Sequence, residues 1–137
     1  MRVLILAGGV GSRLLPLTAY HPKIMTSVHG VPFIKYLMKL YRRYDVLLSL
    51  GHMRECVKEW LRDNDVLMEC VDEYENLGHS GAILHAKPFL EGKKYFCVVN
   101  GDTYHNIDLD KAIHLFSWAS WSTGWTFSAA LSTQVFS

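Results

Sequence analysis

The sequence predicts an α/β fold, a three-layer α/β/α sandwich built on a mostly parallel sheet. Short apolar runs alternate with amphipathic segments along the 137 residues, and this order favours a parallel sheet covered by helices on both faces. The first apolar run breaks abruptly into the glycine-rich segment 7–13. Loops that follow parallel strands lie at one edge of the sheet, where ligands bind. The length corresponds to one domain, residues 1–137.

Continuous apolar runs predict the strands, because strands of a buried parallel sheet carry apolar side chains on both faces. In chain order, these strands are Arg2–Leu6, Val46–Leu50, Val66–Val71, Tyr95–Val99 and Trp125–Val135. Ile24–Val28 is a further short extended piece, closed by a turn at His29 and Gly30. Residues 7–22 are expected to be mostly loop.

Apolar side chains three and four positions apart predict the helices that connect these strands. Pro32 is expected to be the first residue of its helix, because its missing N–H would be unpaired there anyway. Pro88 is expected to interrupt the third helix, and Asp108 is a candidate N-cap of the fourth. In chain order, the helices are Pro32–Arg43, Met53–Leu61, Gly81–Leu90 and Leu109–Phe116.

The segment 117–137 differs from the rest of the chain in composition. It has no charged residue, is rich in serine, and brings together Trp118, Trp121 and Trp125. We therefore treat it as an atypical tail of the domain that contains one strand without a partner element.

Composition narrows the class of protein. The chain is 50% hydrophobic and 20% charged, with a net charge of +1, which is ordinary for a globular protein and argues against a nucleic-acid partner. Its three cysteines form no C-x-x-C pair and its seven histidines no H-E-x-x-H motif, so we expect reduced thiols and no zinc site. No apolar stretch approaches the roughly 20 residues of a membrane span. We expect a cytoplasmic protein without a membrane partner.

The glycine-rich segment is the first candidate site. Gly8, Gly9 and Gly11 have no Cβ, so their N–H groups can approach an anion closely. Arg13 and Lys23 add positive charge. A loop of this kind is suited to gripping a polyphosphate.

Two known types of nucleotide-binding loop and one structural alternative could also account for this segment, besides the family resemblance described below. A Walker loop requires Gly-Lys followed by Ser or Thr, which is absent here. A dinucleotide fingerprint requires a third glycine where this chain has Leu14. A plain glycine-rich turn is the structural alternative.

Two further loops could complete the site. Asn100-Gly101-Asp102 is either a tight hairpin turn or a strand-end loop whose Asp102 holds Mg²⁺, and the helical pattern that follows favours the loop. The segment 77–82 is a small-residue loop that opens a helix, with Ser80 as a possible cap, and a lone histidine such as His79 is usually solvated. Lys23 follows a stiff Pro22 and precedes an apolar anchor, although a solvated lysine is the alternative.

Taken together, these segments resemble the sugar-phosphate nucleotidylyltransferase family. The resemblance rests on segments 6–14, 16–18, 22–25, 28–33, 75–82 and 99–103. The chain is most similar to the mannose- or heptose-1-phosphate guanylyltransferase branch. The family fold is Rossmann-like, and its activity transfers a nucleotidyl group from a nucleoside triphosphate to a sugar 1-phosphate, releasing pyrophosphate.

The resemblance also implies roles for individual residues. Arg13 and Lys23 would act on the reacting phosphates, and Asp102 would ligate Mg²⁺. The positions implied to contact the nucleotide are Leu6, Ala7, Gly8, Gly9, Gly11, Ser12, Arg13, Gly78 and Gly81.

Family members are longer and carry a sugar-binding half with a second metal-binding aspartate, so we expect the C-terminal half of the family fold to be missing here. Two hypotheses follow. The chain is an active transferase completed by homo-oligomerisation or by a complementary chain, or it is a non-catalytic nucleotide-binding or regulatory module. Unpaired sheet edges and the three tail tryptophans favour self-association.

Overall fold

The computed structural model describes residues 1–93 and 95–115. The strands are β1 (Arg2–Ala7), β2 (Ser27–Val28), β3 (Val31–Pro32), β4 (Asp45–Leu50), β5 (Glu69–Asp72) and β6 (Phe96–Asn100). The helices are α1 (Phe33–Leu40), α2 (Arg54–Asp63), α3 (Gly78–His85) and α4 (Lys87–Leu90), and residues 109–115 are also helical. Two short 3-10 turns cover Ser12–Leu14 and Lys23–Met25.

The main sheet has the strand order β5-β4-β1-β6, and every pairing in it is parallel. Central β1 pairs on both sides, so that Leu4 faces Leu47 on one neighbour and Val98 on the other. Its apolar run is therefore buried on both faces, as a central parallel strand requires. The predicted α/β class with a mostly parallel sheet is confirmed.

The two faces of the sheet carry separate apolar clusters. Val3 and Ile5 point to the face covered by α1, α2 and the helical residues 109–115. Leu4 and Leu6 point to the opposite face, where α3 and α4 pack. Alternation along β1 thus places one layer of helices on each side, which is the predicted three-layer arrangement.

The order of the strands reverses next to β1. The chain moves outward from β1 to β4 and β5, and then returns to place β6 on the other side of β1. Where the connections after two adjacent parallel strands run to opposite sides of the sheet, a crevice forms between them. The crevice here lies between the loop that follows β1 and the loop that follows β6.

The amino end of the sheet is held by a nearly buried arginine. Arg2 donates to both carboxylate oxygens of Asp45, at 2.9 and 3.0 Å, to Glu69 at 2.7 Å, and to the carbonyl oxygen of Phe89 at 2.9 Å. Hydrogen bonds from Arg2 outweigh burial and hold the pKa of Asp45 below its usual value. This arginine links β1, β4, β5 and α4.

The predicted helical start at Pro32 is wrong. Pro32 has an extended ψ of 135° and lies in the β2–β3 hairpin, while α1 begins at Phe33 and ends at Leu40. The N–H of Phe33 donates to the carbonyl oxygen of Thr26 at 3.0 Å, which continues the hairpin pairing. This non-local hydrogen bond keeps Pro32 extended, although its φ would also suit a helix.

The piece predicted as extended from Ile24 begins instead with a 3-10 turn. The N–H of Met25 donates to the carbonyl oxygen of Pro22 at 2.8 Å, and only Ser27–Val28 is a strand. The predicted turn at His29 and Gly30 is confirmed, and both residues have positive φ.

Two other predicted boundaries also move. The strand predicted from Val66 begins at Glu69, because the N–H of Val66 instead donates to the carbonyl oxygen of Leu61 and closes the end of α2. The helix predicted from Gly81 begins at Gly78, and Pro88 lies in the first turn of the separate helix α4 rather than ending a helix.

The predicted strand Trp125–Val135, the tail 117–137, its three tryptophans and Phe116 lie outside the described residues. Within the part of the chain that the structure describes, none of the helices is both long and apolar enough to cross a membrane.

Candidate functional site

A cavity of about 210 Å³ opens at the carboxyl edge of the sheet, at the crevice beside β1. The loops after β1, β5 and β6 contribute to its wall, together with the 3-10 turn at Lys23. The lining residues are Leu6, Ala7, Gly8, Gly9, Lys23, Ile24, Glu73, Asn76, Gly78, His79, Ala82, Asn100, Gly101 and Asp102.

Most of the residues predicted from sequence meet in this cavity. The predicted residues that line it are Leu6, Ala7, Gly8, Gly9, Lys23, Gly78 and Asp102. The predicted residues outside the lining are Gly11, Ser12, Arg13 and Gly81. Arg13 is exposed on the 3-10 turn that follows the glycines.

Backbone hydrogen bonds between neighbouring strand ends hold the cavity-lining backbone of Leu6, Gly8 and Gly101 in place. The N–H of His52 donates to the carbonyl oxygen of Gly8 at 3.1 Å, and the N–H of Gly101 donates to that of Leu6 at 2.8 Å. A Cβ on Gly51 would stand 2.7 Å from the Gly8 carbonyl oxygen, and one on Gly101 would stand 2.8 Å from the Leu6 oxygen. Both positions therefore require glycine. We call this backbone, made by residues 6–8, 51–52 and 101, the main-chain floor.

The loop after the glycines closes on itself. Gly11 has a φ of 69°, which favours glycine. The hydroxyl of buried Thr18 donates to the Gly11 carbonyl oxygen at 2.8 Å, and the N–H of Leu14 donates to the same oxygen at 2.9 Å. Gly11 therefore shapes the loop from outside the lining.

Lys23 is held by its two neighbours. Pro22 and Ile24 are both fully or almost fully buried, and they fix the backbone of the turn between them. The Lys23 side chain is 34% exposed and makes an ion pair with Asp102 inside the cavity. The alternative of a freely solvated lysine is therefore wrong.

Asp102 lies on a loop at the carboxyl end of β6. The helical residues 109–115 follow, and the N–H of Lys111 donates to the Asp108 carboxylate at 3.1 Å, so Asp108 is the predicted cap. The hairpin alternative is therefore wrong. Burial raises the pKa of Asp102, but hydrogen bonds from Lys23 and Thr103 outweigh it and hold that pKa below its usual value.

A buried carboxylate that the sequence analysis did not select also faces the cavity. Glu73 is only 5% exposed, and its Oε1 accepts a hydrogen bond from the buried hydroxyl of Ser49 at 2.6 Å. A Cβ on Gly8 would stand 2.7 and 2.8 Å from the two carboxylate oxygens. Glycine at position 8 thus leaves room for Glu73. The available signal is the pair of acidic residues Asp72 and Glu73 directly after the predicted strand Val66–Val71.

The start of α3 forms the remaining wall. Asn76 accepts the N–H of Gly78 at 3.2 Å through its side-chain oxygen, and Gly78 has a φ of 64°. Ser80 lies inside the helix, so it is not the cap. A Cβ on Gly81 would stand 2.9 Å from the Leu77 Cβ, which gives Gly81 a packing role inside the first turn.

A histidine fastens the loop after Asp102 to Tyr41, the residue that follows α1. The N–H of Ile107 donates to Nδ1 of His105 at 3.2 Å, so in the neutral imidazole the proton is on Nε2. That Nε2–H donates to the hydroxyl of buried Tyr41 at 2.6 Å. Burial lowers the pKa of His105 from its ordinary value of 6.5 and raises that of Tyr41.

We expect the protein to lose stability as the pH falls below about 6.5, in part through His105. The pKa of His105 is lower in the folded protein than in the unfolded chain. The neutral imidazole therefore stabilises the fold at a pH above the unfolded pKa, and this stabilisation is lost as the pH falls through the folded pKa. Urea unfolding measures the free energy of unfolding at pH 7.5 and at pH 5. Between these two values, His105→Gln, which keeps a donor for Tyr41, should lose less of that free energy than the wild type. Equal losses in the two proteins would contradict this assignment.

Among residues 1–93 and 95–115, three or more His, Cys, Asp or Glu side chains do not gather into a cluster that could hold a metal ion. A cation in the cavity would therefore have few protein ligands among these described residues. Asp102 offers a carboxylate that already forms an ion pair with Lys23. An oxygen ligand of this kind suits a divalent cation that takes its other ligands from a substrate or from water.

Comparison with known proteins agrees with this geometry. A family model described as nucleotidyl transferase matches residues 2–130. The chain belongs to the nucleotidyl transferase family. The match includes every described residue of the cavity lining.

Individual members of the nucleotidyl transferase family are similar over most of this chain. D-glycero-alpha-D-manno-heptose 1-phosphate guanylyltransferase of Campylobacter jejuni is 32% identical over 116 residues, which cover 81% of this chain and 52% of the relative. A probable glucose-1-phosphate cytidylyltransferase of Bacillus subtilis is 30% identical, covering 86% and 55%. The crystal structure of HddC from Yersinia pseudotuberculosis superposes with a TM-score of 0.74 at 34% identity, covering 83% and 53%. The chain spans about half the length of these relatives.

Proposed function

We propose that this chain binds GTP and transfers its guanylyl group to a sugar 1-phosphate, releasing pyrophosphate. Membership of the nucleotidyl transferase family supports the reaction class. A relative named as a heptose 1-phosphate guanylyltransferase supports GTP and a heptose- or mannose-type sugar. The single observation that carries the choice of base is the buried Glu73 carboxylate in the cavity wall.

The phosphates would lie over the main-chain floor. Beside this floor, the backbone of Gly9 lines the cavity and no atom lies within 4 Å of the position that a Cβ would take there, so an anion can approach its N–H group. The ammonium group of Lys23 provides positive charge within the cavity, and the guanidinium group of Arg13 provides it from the adjoining turn. Positioning and charge neutralisation are the main requirements of phosphoryl-type transfer, and the attacking sugar phosphate is already ionised.

Asp102 would hold Mg²⁺, which supplies neutralising charge to the phosphates when it is bound. Thr103 donates to Oδ1 of Asp102 at 3.0 Å and orients the carboxylate. A cytoplasmic location and completion of the site by a second copy or a complementary chain stay predictions.

Glu73 favours guanine because of its hydrogen-bonding capacity. An ionised carboxylate only accepts hydrogen bonds, and the Watson–Crick edge of guanine presents two neighbouring donors, N1–H and the N2 amino group. The same edge of uracil, cytosine or adenine places at least one acceptor against a carboxylate. A buried acceptor that is left unpaired, or that faces another acceptor, strongly disfavours the wrong base.

The test is release of pyrophosphate from GTP, CTP, UTP, dTTP or ATP with Mg²⁺ and mannose, glucose or heptose 1-phosphate. We expect release to be fastest with GTP, and the absence of release with every pair would contradict the proposed reaction. Calorimetry with GTP and Mg²⁺ but without a sugar phosphate separates the alternatives, because GTP binding without pyrophosphate release identifies a nucleotide-binding module.

A matched pair of variants isolates the role of Glu73 in that test. Glu73→Gln replaces one acceptor with a donor, so GTP affinity should fall about tenfold while UTP affinity rises. Glu75→Gln makes the same change on an exposed side chain two residues away and should leave the nucleotide preference unchanged. An unaltered preference in Glu73→Gln would refute the assignment of guanine to this side chain.

A further inference from the structure

The ion pair inside the cavity occupies two groups that the proposed function needs elsewhere. Lys23 contacts Oδ2 of Asp102, and both side chains are 34% exposed. The hydroxyl of Thr103 donates to Oδ1 at 3.0 Å. Both oxygens of the carboxylate are therefore engaged before any ligand arrives.

The proposed function gives these groups different partners. Lys23 should contact the nucleotide phosphates, while Asp102 should hold a divalent cation. One ammonium group cannot neutralise Asp102 and the phosphates fully at the same time, and a carboxylate that is already paired attracts a second cation weakly.

We propose that Lys23 and the divalent cation compete for Asp102, so that Lys23 occupies the cation's place in the nucleotide-free protein. The inference rests on the proposed function. A bound nucleotide offers its phosphates to Lys23 as a new anionic partner, which releases Asp102. The cation can then bind Asp102 and the phosphate oxygens at the same time. Nucleotide and cation then bind synergistically, and neither binds well alone.

The local structure allows this exchange of partners. Buried Pro22 and Ile24 hold the backbone of Lys23, so only its flexible side chain has to move. Gly8 and Gly9 line the same cavity as Lys23 and Asp102, and the ammonium group can pivot toward phosphates above them. Mg²⁺ commonly binds one or two protein carboxylates together with substrate phosphates and water, which matches a single Asp102 ligand.

The chain contains a matched control for this ion pair. Lys58 contacts Asp72 at 2.5 Å, and both side chains are partly buried. Neither residue lines the cavity. Removing the Lys58 charge therefore removes a similar ion pair at a place where the proposal expects no competition.

The experiment measures Mn²⁺ binding without nucleotide, from the electron paramagnetic resonance signal of the free ion. Lys23→Met and Lys23→Gln should each bind Mn²⁺ at least about tenfold more tightly than the wild type, because removal of the ammonium group frees one unit of negative charge. Lys23→Arg keeps the positive charge and should bind Mn²⁺ as weakly as the wild type, as should Lys58→Met. Adding Asp102→Asn to Lys23→Met should abolish the gain. Circular dichroism establishes that each variant is folded.

Unchanged or weaker Mn²⁺ binding in the folded Lys23→Met and Lys23→Gln variants would overturn the competition. A gain of the same size in Lys58→Met would also overturn it, since the effect would then follow net charge alone. This assay contains no nucleotide, so its result is independent of pyrophosphate release. A Mn²⁺ gain without pyrophosphate release would leave the competition supported and reject the proposed function.

Discussion

Gly51→Ala is expected to destabilise the protein by about 2 kcal/mol, the middle of the range for overpacking a close contact. Its Cβ would stand 2.7 Å from the carbonyl oxygen of Gly8 and 2.9 Å from the Gly8 Cα. These are backbone atoms at the end of a central strand, so they cannot rotate away as a side chain could. The main-chain floor must shift, and GTP affinity should fall about tenfold as the Gly8 N–H moves, equivalent to roughly 1.4 kcal/mol.

Gly9→Ala is the control for the effect of Gly51→Ala on stability. A Cβ on Gly9 would meet no atom within 4 Å, so its free energy of unfolding in urea should stay close to the wild-type value. Calorimetric titration with GTP measures the second effect of Gly51→Ala. If Gly51→Ala matches the wild type in both stability and GTP affinity, the prediction is contradicted. The loops that carry Gly8 and Gly51 would then be able to move apart at little cost.

Arg2→Met is expected to cost about 3 kcal/mol of stability, near the lower end of the range for breaking a buried ion pair. The arginine side chain is 10% exposed, whereas those of Asp45 and Glu69 are 43% and 47% exposed, so water can solvate the carboxylates that are left behind. The carbonyl oxygen of Phe89 also loses its donor. Urea unfolding at pH 7 measures the loss.

Acid unfolding provides a second test of Arg2. The pKa of Asp45 is lowered in the folded protein, first of all by Arg2. Its contribution is present above the unfolded pKa of about 4 and is lost as pH falls through the folded value. In Arg2→Met the free energy of unfolding should therefore fall less steeply with pH below about 4 than it does in the wild type. Lys93→Met removes an exposed partner of Asp45 at 3.2 Å and should cost less than about 1 kcal/mol. A larger loss there than in Arg2→Met would reject Arg2 as the main partner.

The parts of the fold that could be predicted from sequence are those that local burial determines. The central strand and its neighbours appear as apolar runs, because both faces of a parallel sheet are covered. Lys23 was predicted to be held because a proline precedes it and an apolar residue follows, and both neighbours are buried. Asp102 was placed on a strand-end loop by the helical pattern after it.

Boundaries set by individual backbone hydrogen bonds could not be predicted from apolar patterns in this way. Pro32 stays extended because Phe33 pairs with Thr26 across a hairpin, and the local sequence contains no sign of that hydrogen bond. Val66 leaves the strand because its N–H closes α2 at Leu61. In the first place a hydrogen bond across a hairpin overrides the local preference, and in the second a bond that closes the end of the preceding helix overrides it.

Glu73 lines the cavity and Gly51 packs against the Gly8 backbone that lines it, and both roles depend on contacts between strands. Glu73 resembles the first residue of a solvated loop until Ser49, on the neighbouring strand, is placed beside it. Gly51 resembles an ordinary strand terminator until the Gly8 carbonyl oxygen is found against it. Their importance comes from the parallel register of the sheet, which a single sequence does not reveal.

The main-chain floor separates two kinds of evolutionary change in this protein. Its shape follows from peptide groups and strand register, so side chains in the cavity wall can be exchanged without rebuilding it. Preference for a base would then change through Glu73 and Asn76, which lie between β5 and α3, and through His79 in the first turn of α3. The backbone contribution to phosphate binding would change only when a strand-end glycine is lost, whereas its charged contribution lies in the side chains of Lys23 and Arg13. New nucleotide preferences are thus accessible by few substitutions that leave the main-chain floor intact.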